Sequence, residues 1–260
     1  MNIPIYQVDA FHDQIFKGNP AAVCPLDKWL PDPLMQAIAM ENNLSETAFF
    51  VKINNGFGIR WFTPKIEVDL CGHATLASAH VLFSNLNYKK KEIVFHSKSG
   101  NLIITRDPNG ILQMNFPAYH AKKIKNDKLY GKVFGIQPLS AYRATKLMLL
   151  YESEDEIKSI SPQFEEVKLL DDVGVIITSK GNEYDFVSRF FAPAVGINED
   201  PVTGSAHSLL IPFWADKLGK SILKAHQCSE RGGFIYCEYL KERVVIGGKA
   251  KTYMKGTIYI

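Results

Sequence analysis

The stretch RWFTPKIEVDLCGHA, residues 60–74, is echoed about half a chain later by RFFAPAVGINEDPVTGSA, residues 189–206. In both, an Arg, two aromatics and a Pro lead to a turn of the form polar, Gly, polar, Ala. Gly72 and Gly204 lie 132 positions apart, and Gly100 and Gly232 keep that offset, each opening a β-like run over 101–106 and 233–238. Arg60 and Arg189 are 129 apart, so the second copy holds three more residues between its Arg and its Gly. The chain therefore reads as a duplication, and twin halves are expected to bury a cleft faced by the two glycine turns.

A chain of 260 residues, 46% hydrophobic and 22% charged, is long enough for two halves of that size, each with a core. The expected halves are 1–125 and 126–260, joined through the Lys-rich, aperiodic stretch 119–141, with exchange of terminal strands between them allowed. The opening MNIPIYQVDAF is too polar for a secretory signal. No window approaches the roughly 18 unbroken apolar residues of a membrane span, so a cytoplasmic protein without a membrane partner is expected. Cys24, Cys71, Cys228 and Cys237 lack paired CxxC spacing and read as reduced thiols. A net charge of +3 is too mild for a nucleic-acid partner, and the runs Lys89–Lys91 and Lys122, Lys123, Lys125 read as solvated faces.

Along the chain, strands alternate with two marked helices. Ile3–Val8 has strand character, 32–41 has helical spacing, and 47–53 with 58–62 forms a hairpin across Asn54, Asn55 and Gly56. His73–Phe83 is apolar all round, which predicts a buried helix, and Ser205–Leu218 repeats it up to the stop at Gly219. Pro212 inside that second helix is expected to kink or break it. A turn over Asp107–Gly110 joins two more strands. The C-terminal stretch 244–260 reads as a β ribbon around Gly247, Gly248 and Gly256.

A glycine followed by a polar residue at the start of a buried helix leaves backbone N–H groups unpaired at the positive end of the helix dipole. Two such starts, at Gly72 and Gly204, favour a carboxylate, unless the glycines only allow tight turns that His73 and Ser205 cap. Glu46 stands at the mouth of an apolar strand; desolvated there it could exchange a proton near neutral pH, whereas on a loop it would be a solvated surface group. Asp200, held by Pro201 four positions ahead of Gly204, could bind a substrate amine or hydroxyl, or cap its own turn. Cys71 at a helix start could carry a proton or be a small buried residue. His73, His80 and His207 with Asp69 and Cys71 show no HxxxH or HExxH spacing, so no metal is expected. The dinucleotide fingerprint and the phosphate loop are also absent from the sequence, and cofactor-free chemistry is expected.

The set VDAFHDQIFKGNPAAV (8–23), LSETAFF (44–50), DLCGHATLASAHVLF (69–83), DFVSRFFAPAVGINEDPVTGSAHSLL (185–210) and QCSERGG (227–233), in this order, resembles the phenazine-biosynthesis PhzF-like isomerase family from end to end. The resemblance implies an α+β, diaminopimelate-epimerase-like fold of two similar halves, each a curved, mostly antiparallel sheet wrapped round a central helix. It also implies a homodimer without a cofactor. The family's catalytic Glu falls on Glu46, its cleft residues on His73 and Ser205, its acid on Asp200, and its glycine amides on Gly72 and Gly204. The reaction implied is a proton shift on a small carboxylate-bearing substrate, with Glu46 as the base. Two alternatives remain open: an epimerase or racemase working through Cys71 and Asp200, since related enzymes use paired cysteines, and a non-catalytic binding or scaffold protein on the same fold.

Overall fold

The computed structural model describes all residues 1–260. They fall into two compact units, one of Met1–Asn115 with Gly247–Ile260, the other Phe116–Ile246. The boundary therefore precedes the expected 125/126, and the last segment belongs to the first unit rather than to the second.

In the first unit, β1 (Asn2–Ala10) and β2 (Asn19–Leu26) are antiparallel, and α1 (Asp32–Asn42) then crosses over to β3 (Glu46–Ile53), parallel to β2. β4 (Gly56–Phe62) returns antiparallel, with Ile53 opposite Gly56, so the expected hairpin turns on Asn54 and Asn55 alone. β5 (Glu67–Val68) is a two-residue strand on β4, after which α2 (Gly72–His80) begins. β6 (Glu92–Ser97) lies parallel to β4 and continues antiparallel through β7 (Gly100–Arg106) to β8 (Leu112–Pro117). The central residues of β2 and β3 are buried on both faces, which explains their apolar runs. Ile3, Ile5, Ala22, Cys24, Phe49 and Phe62 meet Met35, Ile38 and Ala39 of α1 in one core. α2 packs on β1, β2 and β3, and its Ala74, Ala77 and Ala79 are buried small residues that permit close approach. Past His80 the helix widens into a π turn over Val81–Asn85, where Leu86 N–H donates to the Val81 carbonyl at 2.9 Å.

The second unit repeats the plan. It opens with β9 (Lys122–Ile124) and α3 (Lys128–Phe134), and β9 pairs antiparallel with β10 (Ser140–Arg143). Then β10 and β11 (Leu147–Leu150) are antiparallel, and α4 (Glu154–Ser159) and α5 (Phe164–Val167) cross over to the parallel β12 (Val175–Lys180). β13 (Phe186–Phe191) is antiparallel, α6 (Gly204–Leu218) follows, and β14 (Ile222–Gln227) lies parallel to β13 before β15 (Gly233–Tyr239) turns back. The order antiparallel, parallel, antiparallel, parallel, antiparallel is thus the same in both units, with the long central helix after the fourth strand of each series. β16 (Arg243–Gly248) follows.

The last strand, β17 (Ala250–Tyr259), runs unbroken across Gly256 and pairs antiparallel with β1 from Asn2↔Tyr259 to Ala10↔Ala250. The local ribbon expected over 244–260 is therefore corrected: β17 takes its partner from the other end of the sequence. Pro212 neither breaks α6 nor leaves a carbonyl idle, because Ser208 C=O accepts from Tyr119 N–H at 2.9 Å. No helix is long and apolar enough to cross a membrane.

Candidate active site

Glu46 is the first residue of β3, opposite Ala21. The chain reaches it from α1 through Asn43, whose left-handed backbone (φ 49°) ends that helix, and Asn42 Nδ2 donates to Thr47 Oγ1 at 3.1 Å, tying helix to strand. Its carboxylate is 13% exposed and meets His73 Nε2 at 3.2 Å. His73, on the first turn of α2, has its ring pushed down to about 3 by burial, so the imidazole is neutral at physiological pH. Its other nitrogen, Nδ1, lies 3.6 Å from Cys71 Sγ.

Glu46, Cys71 and His73 hold potential ligand atoms within 4.8 Å of one another. The thiol faces Nδ1 and the carboxylate faces Nε2, however, so one ion could not take all three without turning the ring. Cys71 and His73 also sit at a helix N-terminus, which disfavours a cation. The arrangement suits a carboxylate held beside a neutral ring better than metal ligation.

α2 starts from Cys71 in extended conformation, without a side-chain cap and without an acidic residue in its first turn. α6 starts from Thr203 in the same way. Neither His73 nor Ser205 caps, and Ser205 is exposed. Each carbonyl just ahead of the glycine receives a side-chain donor from four residues on: Thr75 Oγ1 gives to Cys71 O at 2.5 Å, and His207 Nδ1 gives to Thr203 O at 2.8 Å. The repeat therefore matches Cys71 with Thr203, not with Asp200. Asp200 accepts from Thr203 Oγ1 at 2.5 Å, and Gln227 of β14 braces the turn, taking Thr203 N–H at 2.9 Å and giving to Asp200 O at 2.8 Å.

The sequence reading missed a second duplicated feature. Arg60 holds Glu67 in a two-pronged fork at 2.7 and 2.8 Å, and Arg189 holds Glu199 at the same distances. Both carboxylates stand five positions ahead of the helix-starting glycine, a spacing visible once the two stretches are aligned on Gly72 and Gly204. Each Arg also lies over a Phe two residues on, Phe62 at 5.2 Å and Phe191 at 4.9 Å. Its remaining donor reaches the crossover helix of its own unit: Asp32 at the start of α1, or the Ile157 and Ile160 carbonyls at the end of α4. Strand, crossover helix and the loop into the central helix are locked together in this way, and the uncapped helix starts are fixed by the lock.

The structure thus brings Glu46, Cys71, His73 and Gly72 together in the first unit, and Asp200, Thr203, Gly204 and Ser205 together in the second. Known proteins share this plan. A structure of a PhzF-family protein from Enterococcus faecalis has 47% identity and a TM-score of 0.98, with both chains covered in full. A hydroxyproline epimerase structure from Agrobacterium vitis shares the fold alone, at 10% identity and a TM-score of 0.64 over 99% of this chain and 92% of that one. A protein of Pseudomonas aeruginosa named as an uncharacterised isomerase is 46% identical, with each chain covered in full. These likenesses define an enzyme of isomerase type on the epimerase-like α+β fold expected from the sequence. A family model described as phenazine biosynthesis-like protein matches residues 8–256, and the chain belongs to that family.

Proposed function

We propose that the enzyme catalyses a cofactor-independent proton shift on a small carboxylate-bearing substrate, with Glu46 acting first as general base and then as general acid. The observation that supports this most directly is the 3.2 Å contact between Glu46 and a buried, neutral imidazole. A ring with so low a proton affinity does not accept the proton that Glu46 lifts, so the carboxyl keeps it and can return it to another carbon. The ring stays beside the carboxylate at contact distance without competing for the proton.

The uncapped start of α2 at Gly72 suits the substrate's carboxylate, and the start of α6 at Gly204 offers the same chemistry. Asp200, with its turn braced by Gln227 and Thr203, and Ser205 are assigned to the substrate's amine or hydroxyl groups. Family resemblance supports a homodimer; light scattering should give about twice the 29.2 kDa chain mass.

The test is deuterium incorporation from solvent into a panel of cyclic, conjugated amino and hydroxy acids. Glu46→Gln should abolish incorporation while leaving binding of the same acid nearly intact. Wild-type incorporation by that variant sinks the assignment.

A second reading is favoured by the 3.6 Å contact of Cys71 with His73: an epimerase in which the Cys71 thiolate is one base and Asp200 the other. Thr203, not Asp200, holds the repeat position of Cys71, which weakens the pairing. Cys71→Ser separates the two, because a hydroxyl is too weak an acid to replace a thiolate base. Exchange survives under the glutamate mechanism and is lost under the thiol one.

A further inference from the structure

We infer that Cys71 is a positioning residue that fixes the tautomer of His73, keeping the ring proton on Nε2, the nitrogen nearer Glu46. This inference rests on the proposal that Glu46 works as a carboxylate base. The argument is a count of protons. A neutral imidazole carries one ring proton and has two polar neighbours here, the thiol 3.6 Å from Nδ1 and the carboxylate 3.2 Å from Nε2. An ionised Glu46 can only accept, so the ring proton is favoured on Nε2; the opposite tautomer sets a lone pair towards a carboxylate oxygen in a desolvated place. Nδ1 is then a bare acceptor in a buried ring, and the Cys71 S–H is the group that faces it.

The fold makes this contact obligatory. Cys71 is held extended just ahead of α2, and its carbonyl is taken by both the N–H and the hydroxyl of Thr75. The backbone on which the thiol stands therefore has little freedom. His73 follows two positions later on the first turn, so strand conformation before the helix and helical conformation after it set the thiol beside the ring. In catalysis Cys71 touches no reacting atom: it acts through His73, and His73 through Glu46.

Long-range proton–nitrogen NMR on the full chain with 15N-labelled histidine, near pH 7, reads the tautomer directly. The seven histidines are assigned by single replacement. The expected spectrum of the wild type shows His73 protonated on Nε2 and bare on Nδ1. Cys71→Ala should lose that single form and give a mixture with the Nδ1–H tautomer, while Cys71→Ser, whose O–H also donates, should keep it. A wild-type ring protonated on Nδ1 overturns the inference without any variant, and so does an unchanged tautomer in a folded Cys71→Ala protein. The Glu46 proposal fails separately: a Glu46→Gln variant that still exchanges deuterium refutes the base assignment and leaves the tautomer measurement as it was found.

Discussion

Arg60 and Arg189 occupy one structural position twice: each closes a two-pronged contact on a carboxylate five residues ahead of a helix-starting glycine. Their surroundings differ in a way that predicts unequal costs of removal. Glu67 also receives Lys98 Nζ at 2.7 Å, whereas the fork on Glu199 is supported by Arg189 alone among the cations. Arg189→Met should destabilise by about 3 kcal/mol, since it strands a largely buried carboxylate and two helix-end carbonyls. Arg60→Met should cost about half as much. Urea unfolding of both variants checks the order, and a larger loss for Arg60 contradicts it.

Gln227 is expected to matter as much as the residues it braces. Gln227→Leu removes the acceptor for Thr203 N–H and the donor to Asp200 O, at about 2 kcal/mol for a buried unpaired group. Gln227→Glu keeps the acceptor and should fall between Leu and wild type in midpoint denaturant.

Acid should weaken the fold before the carboxylates titrate. Burial holds His73 at about 3 and His80 and His207 at about 4 in the folded chain, against an ordinary value of 6.5. The unfolded chain therefore binds more protons as pH falls below 6.5, so stability is highest above that value and declines towards the folded values. With all three rings neutral in the fold, the decline approaches about 4 kcal/mol per pH unit near pH 5. Denaturant midpoints between pH 7 and 5 measure it; a flat profile shows that the rings are not buried neutral.

Pro212→Ala restores a backbone donor to α6 and sets it in competition with Tyr119 for the Ser208 carbonyl. Net stability should change by less than about 1 kcal/mol, as helix propensity gained offsets loosening elsewhere. Hydrogen exchange at the Tyr119 amide should accelerate, and unchanged protection there argues that the carbonyl serves both donors.

Much of this was legible in the chain because it is local. The hydrophobic run after Gly72, the Gly219 stop and the hairpin turn near Asn54, one residue shorter than expected, each follow from neighbours in sequence, and the duplicated stretches announced the two matched helix starts. What stayed hidden depends on partners far along the chain. The match of β17 to β1 joins positions 240 to 257 apart, and nothing in the residues 250–259 names that partner. Glu67 and Glu199 drew no attention in the sequence, and only the fold brings Arg60 and Arg189 beside them. Cys71 and His73 were both singled out, yet the contact with Glu46 needed the β3 register to set residue 46 against the first turn of α2.

The pairing of β1 with β17 also orders events in time. On a ribosome, residues 116–246 leave as one contiguous piece and can assemble as soon as they emerge, while β1 waits for 250–259 before that side of its sheet is covered. The unit that carries Glu46 and His73 is translated first and finished last, so synthesis halted before residue 250 yields a second unit able to fold beside a first that still lacks a strand.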